Sequence, residues 1–214
     1  SINDVGGANG DFGIRYTLAD LAGSGWKLDY NYVPQHGSGD AVGDEGFSGG
    51  AHGNEDAHDI TLTGSVPGIE GLNVGVGYAF RNTDIKAATG VDANNGRRED
   101  GTAYATYAFG PLTVGYQVGA VSNAGAAGVA YKNTYMGISY AVSDDLSVSY
   151  NNTESQRLAG GPATTGIVQD WDSVSLSYSM GGATLNIADS DCGNCNYTSG
   201  RGESERTISL TVAF

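Results

Sequence analysis

Leu72-Asn73-Val74-Gly75-Val76-Gly77-Tyr78-Ala79-Phe80 decides the fold class. Its large apolar residues fall on every second position, with Asn, Gly and Ala between them. Successive side chains of a strand point to opposite faces, so this stretch reads as a strand with one apolar face. The same period recurs on either side. Phe12, Ile14, Tyr16 and Leu18 share one face, as do Trp26, Leu28, Tyr30 and Tyr32, then Ile60 and Leu62. Downstream, Leu112 to Val118, Met136 to Val142, Leu146 to Tyr150, Val174 to Met180, Leu185 to Ile187 and Ile208 to Phe214 repeat it. Residues 102–109 alternate less cleanly. About eleven strands result.

The predicted connections alternate in length. Short ones fall at 19–25, 67–71, Gly110-Pro111, 143–145 and Gly181-Gly182. Long ones fall at 34–57, 81–101, 122–130, 153–170 and 189–205. A sheet with every short turn at one end and every long loop at the other has the layout of a transmembrane β-barrel. A propeller needs four strands in each repeat, and here each holds two.

Composition agrees. The 214 residues include 35 Gly, 4 Pro and 13 Tyr, with 24 Asp plus Glu against 10 Lys plus Arg, a net charge of −14. So acidic a chain does not bind nucleic acid, because phosphate contacts need clustered Lys and Arg. No apolar run reaches the ~18 residues of a spanning helix, a test that says nothing about a barrel. A soluble β-sandwich would also alternate. Three features favour a membrane barrel: the second face is Ser, Thr, Asn and Gly; the charges concentrate in the long loops; and Trp26, Tyr32, Phe80, Phe109, Trp171 and Phe214 stand at strand ends, as an interfacial girdle would. The expected class is all-β, an antiparallel transmembrane β-barrel.

The closing stretch Thr207-Ile208-Ser209-Leu210-Thr211-Val212-Ala213-Phe214 alternates and finishes on an aromatic. It resembles the last strand of Gram-negative outer-membrane proteins, whose terminal Phe is the signal read by the barrel-assembly machinery. Residues 174–187 and 12–34 are similar to segments of alphaproteobacterial general porins. That resemblance implies an outer-membrane location and a water-filled passive diffusion channel for ions and small hydrophilic solutes. It also implies a homotrimer in contact with outer-membrane lipid and lipopolysaccharide, and no enzymatic activity. Such porins close sixteen strands. Residues 1–214 then form one barrel domain, expected to be its C-terminal two-thirds and N-terminally incomplete, with 34–57 a long acidic extracellular loop. A complete barrel of ten or twelve strands is the alternative.

Several residues carry candidate roles. Arg15, Lys27 and Asp29 fall on the polar face of one predicted hairpin, and Arg81 at a strand end. Charges there would line the pore and set ion preference; the other reading is that the basic groups neutralise Asp29 structurally. Asp40, Asp44 and Glu45, with Glu55, Asp56 and Asp59 nearby, offer oxygen ligands that suit Ca2+ but lack EF-hand spacing, so a solvated acidic loop is the competing reading. No cofactor is required. His36, His52 and His58 match no zinc spacing and read as loop histidines. With no other His, a Ser-His-Asp site would have to arise from that loop alone. Cys192-Gly-Asn-Cys195 precedes no helix and is expected as a local disulfide at a loop tip. A non-conducting surface barrel, an adhesin or structural anchor, is the rival function.

Overall fold

The computed structural model describes residues 14–33, 52–53, 56–86, 92–123, 129–159 and 166–212. They form one antiparallel sheet: β1 (Ile14–Leu18), β2 (Lys27–Val33), β3 (His52–Gly53), β4 (Ala57–Ser65), β5 (Leu72–Lys86), β6 (Asp92–Phe109), β7 (Leu112–Asn123), β8 (Val129–Ala141), β9 (Leu146–Ala159), β10 (Val168–Met180), β11 (Ala183–Gly193) and β12 (Glu203–Val212). Eleven strands pair in chain order. Short β3 lies off that path and pairs with the far end of β5, beyond β4. Among the described residues β1 and β12 are the two edges, and the sheet is not closed.

Register converts the period-two pattern into two continuous faces. Tyr16 pairs with Tyr30, Tyr30 with Ile60, and Ile60 with Tyr78. Farther along, Val114 meets Ile138, Ile138 meets Tyr150, Tyr150 meets Val174, Leu176 meets Ile187 and Ile187 meets Ile208. Every strand therefore keeps its period-two apolar residues on the same side, while Tyr104, Tyr131 and Trp171 fall on the other. A slip of one residue in any pair would turn all later strands over. These side chains are not covered by protein: Val76 is 52% exposed and Ile208 66%. Among the described residues the buried apolar set is only Val33, Ala57, Ala79 and the two cysteines. Among the described residues no layer packs on the apolar side, which suits a wall solvated by lipid rather than a sandwich half.

Stagger gives the tilt. The pair Leu18–Leu28 closes the first short turn. Its hydrogen-bonded row passes through Leu62, Val76, Ala103, Val118, Thr134 and Glu154 to Asp170–Gly193. The last short turn is closed ten residues away on β10, at Met180–Ala183. Ten residues at ~3.3 Å over eight strand spacings of ~4.8 Å place the strands about 40° from the barrel axis, taking the short turns as one plane. Barrels need a tilt in this range to close.

The short turns fall where expected, and Gly181-Gly182 has both φ positive (56° and 87°), as a two-residue hairpin of matching twist requires. The long connections differ from expectation. β5 runs on to Lys86 and β6 starts at Asp92, so 81–101 is mostly strand; β9 reaches Ala159, β10 starts at Val168, and β11 and β12 extend to Gly193 and from Glu203. Each residue of a strand tilted ~40° climbs ~2.5 Å, so the 18 residues of β6 rise about 45 Å against an apolar band of ~25 Å. The excess pairs in water, where both faces are polar and alternation vanishes. Many charges assigned to loops thus lie on strands.

On the apolar face the boundary of the belt is marked by charge. Asp172 accepts hydrogen bonds from Tyr150 (2.5 Å) and Asn152 (3.0 Å), Arg206 pairs with Asp189, and Arg97 pairs with Glu99 at 2.9 Å. Trp26 and Phe109 stand at the short-turn end, with Trp26 lying over Gly64. Trp171 departs from the expected girdle. It shares a face with Ser173 and Ser175 and stands opposite Cys192, on the polar side. Leu62→Arg, on the apolar face, should lower folding stability in lipid vesicles by about 2–4 kcal/mol, whereas the adjacent Thr61→Arg on the polar face should cost under ~1 kcal/mol, read by urea titration.

Candidate functional site

The polar face of β1–β6 gathers seven charges. Asp29 on β2 is their hub. It accepts hydrogen bonds from Arg15 (3.1 Å) and Thr17 (2.5 Å) on β1, and Lys27 Nζ reaches its other oxygen at 2.6 Å. The register Arg15–Asn31 and Thr17–Asp29 explains the fan, since β1 side chains two residues apart flank the same β2 carboxylate. Asp29 is 14% exposed and Arg15 63%, so the acid is sunk among partners and the guanidinium projects. The neutralisation of Asp29 that the sequence offered as one reading is present in both Arg15 and Lys27, and it leaves both on the polar face.

Two further acids and two further bases lie on the same side. Asp59 is buried on β4, in the row that joins Arg15, Asn31 and Asp59 to Ala79 and Asp100. Arg81 on β5 is also buried and stands directly opposite Arg98 of β6, which pairs with Asp100 at 3.0 Å. Asp59, Arg98 and Asp100 were read as loop charges. Asp59 was legible by parity, being two residues from Thr61; Arg98 and Asp100 were not, because the uneven 102–109 stretch carries no phase upward. Gly75 on this face is covered: a Cβ there would run into the Tyr104 ring. Hydroxyls and amides are frequent elsewhere on this face, for example Gln117 donating to Thr102 (3.0 Å) and the Ser149–Ser175 pair (2.6 Å).

A second feature lies at the long-loop end of the same face. Cys192 and Cys195 form a disulfide, but not at a loop tip. Cys192 is the penultimate residue of β11, both cysteines are buried, and the chain folds inward from them. Asn194 donates to the Val168 carbonyl (2.9 Å), and the Asn196 N–H donates to Gln169 (2.8 Å), both on β10. Tyr197 reaches past β10 to Ser155 of β9 (2.7 Å), and its ring lies 5.5 Å from that of Tyr131 on β8. Asn194, Asn196 and Tyr197 hold positive φ (49°, 55° and 54°), a conformation that costs a non-glycine residue about 1 kcal/mol or more. No local pattern in the sequence announces this reach.

His58 is not a loop histidine. It lies on the apolar face of β4, its ring 4.6 Å from Phe80 and 4.8 Å from Tyr32, with Tyr30 at one ring nitrogen (2.7 Å) and Asp56 at the other (2.8 Å). Arg97 caps the cluster 4.0 Å above Phe80. Interfacial aromatics with polar tips fit this position. Both ring nitrogens are engaged in hydrogen bonds. No group of three or more metal-binding side chains occurs among the described residues. Asp40, Asp44, Glu45, His36 and Phe214 lie outside the described residues.

The Arg15–Asp29 pair has one well-exposed partner, so its coupling should be modest. A double-mutant cycle of Arg15→Gln and Asp29→Asn, followed by urea unfolding from vesicles, should give about 0.5–1 kcal/mol.

No curated protein matches the chain at a significant level. A family model described as "Gram-negative porin" matches residues 1–189, from before β1 into β11. An all-strand sheet with one lipid-suited face, one polar charged face and short turns at a single end is the architecture such a match requires. The chain belongs to the Gram-negative porin family.

Proposed function

We propose that the sheet is the wall of a water-filled outer-membrane channel through which ions and small hydrophilic solutes diffuse passively. The observation that carries this is the polar face itself: Arg15, Lys27, Asp29, Asp59, Arg81, Arg98 and Asp100 share it with Ser, Thr and Asn, on the reverse of an unbroken apolar belt. Opposed charges across or along a lumen orient dipolar solutes and bias ion entry. The chain's net charge of −14 draws cations toward the mouth, an effect screened over about 8 Å at physiological salt. Selection by size and field involves no covalent step.

A lipid-facing wall also needs every backbone donor and acceptor paired. In this reading the edges of β1 and β12 are met within a closed barrel, the belt contacts lipid and lipopolysaccharide, and barrels associate as trimers. Ca2+ at Asp40, Asp44 and Glu45 and recognition of Phe214 by the assembly machinery belong to the same proposal.

Planar-bilayer recording tests it. The protein should give discrete ohmic steps in KCl. Replacing both Arg15 and Lys27 with Gln should move the reversal potential in a salt gradient toward cation preference, and Asp29→Asn should move it toward anions. Unchanged potentials would take this cluster off the conduction path. Absence of any step would favour a surface anchor.

A further inference from the structure

We infer that the disulfide-stapled loop between β11 and β12 is a size-determining constriction of the channel, with Tyr197 as its limiting side chain. The inference rests on the pore reading above. It starts from direction: a connection at a barrel rim can rise into solvent, lie back on the apolar side, or turn inward. Here the cross-strand contacts of Asn194, Asn196 and Tyr197 are with the inner side or the rim of β8–β10. Cys192 stands opposite Trp171 on the polar face. Tyr197 meets Ser155, which in turn donates to Asn133 (2.6 Å), and packs near Tyr131. In register, Asn133 pairs with Ser155 and Tyr131 with Arg157, on the face of Ser147, Ser149 and Asn151. Tyr197 therefore reaches two strand spacings, about 10 Å, over the inner wall to β9, and its ring lies beside the Tyr131 ring of β8.

Three restraints hold it there. The disulfide closes its base, Asn194 bridges the Val168 carbonyl and the Gly200 N–H (2.9 Å each), and Asn196 is tied to Gln169. Positive φ at Asn194, Asn196 and Tyr197 persists because those restraints over-determine the turn. A ring held by its hydroxyl against the inner wall is a fixed obstacle, and solute passage depends on the free cross-section it leaves.

The test compares single-channel conductance in KCl, and exclusion of graded neutral polyethylene glycols, for wild type, Tyr197→Gly and Ser155→Ala. Wild type is also measured before and after reduction by a phosphine, which changes no side chain in the sequence. Tyr197→Gly should raise conductance about 1.5-fold and admit larger polymers. Reduction should produce a change in the same direction, smaller in Tyr197→Gly, and Ser155→Ala should give an intermediate value. A conducting wild type whose conductance and polymer cut-off ignore both Tyr197→Gly and reduction overturns the constriction while leaving the pore intact. A wild type that stays silent in every form overturns the pore and the constriction with it. A silent wild type that opens on reduction supports the loop as the obstacle in its strongest form.

Discussion

Interstrand hydrogen bonding is the interaction on which everything else in this protein depends. In hydrocarbon an unpaired backbone amide costs several kcal/mol, so a spanning sheet must keep its ladder whole. Once the ladder is whole, side-chain parity is locked across the entire sheet, and each residue's face follows from its neighbour's. The continuous apolar belt from Ile14 to Val212 is a product of that lock. So is the meeting of Arg15, Thr17 and Lys27 on Asp29. Neither needs a packed interior.

The scarcity of core makes local fits between strands more important. Tyr104 lies over Gly75 on the polar face and Trp26 over Gly64 on the apolar face, each ring filling the space a missing side chain leaves. Such pairs favour one register over its neighbours, the role that aromatic rescue of strand glycines plays generally. Among the described glycines, several hold turns at positive φ, while Gly64 and Gly75 are strand positions that accept a ring.

The sequence made the eleven paired strands, the side of the short turns and the sidedness of Arg15, Lys27 and Asp29 legible, because lipid on one face and water on the other write period two directly into the chain. That signal stops where the lipid stops. Above the belt both faces are wet, so the strands beyond Phe80, Tyr150 and Ile187 and before Thr102 looked like loops, and Arg98 and Asp100 were lost with them. His58 and Trp171 show a different failure. Their parity with Ile60 and with Ser173 placed them correctly, but residue type suggested otherwise. Tyr197 lies beyond any such pattern: its partners on β8 and β9 are 66 and 42 positions away, joined by an inward fold that no periodicity encodes.

The tilt of the strands has a geometric consequence for anything that traverses the lumen. A hydrogen-bonded row is perpendicular to the strands, so at about 40° it is a ramp and not a ring. Between Arg15 and Asp100, four spacings apart in one row, the ramp climbs roughly 13 Å toward the long-loop end. Residues that are neighbours in register are therefore encountered in succession. In the proposed channel, a dipolar solute entering from the loop end would meet the Arg98–Asp100 pair first and the Asp29 cluster later, turning with the wall as it descends, so that charge order would be read along a helix wound inside the barrel.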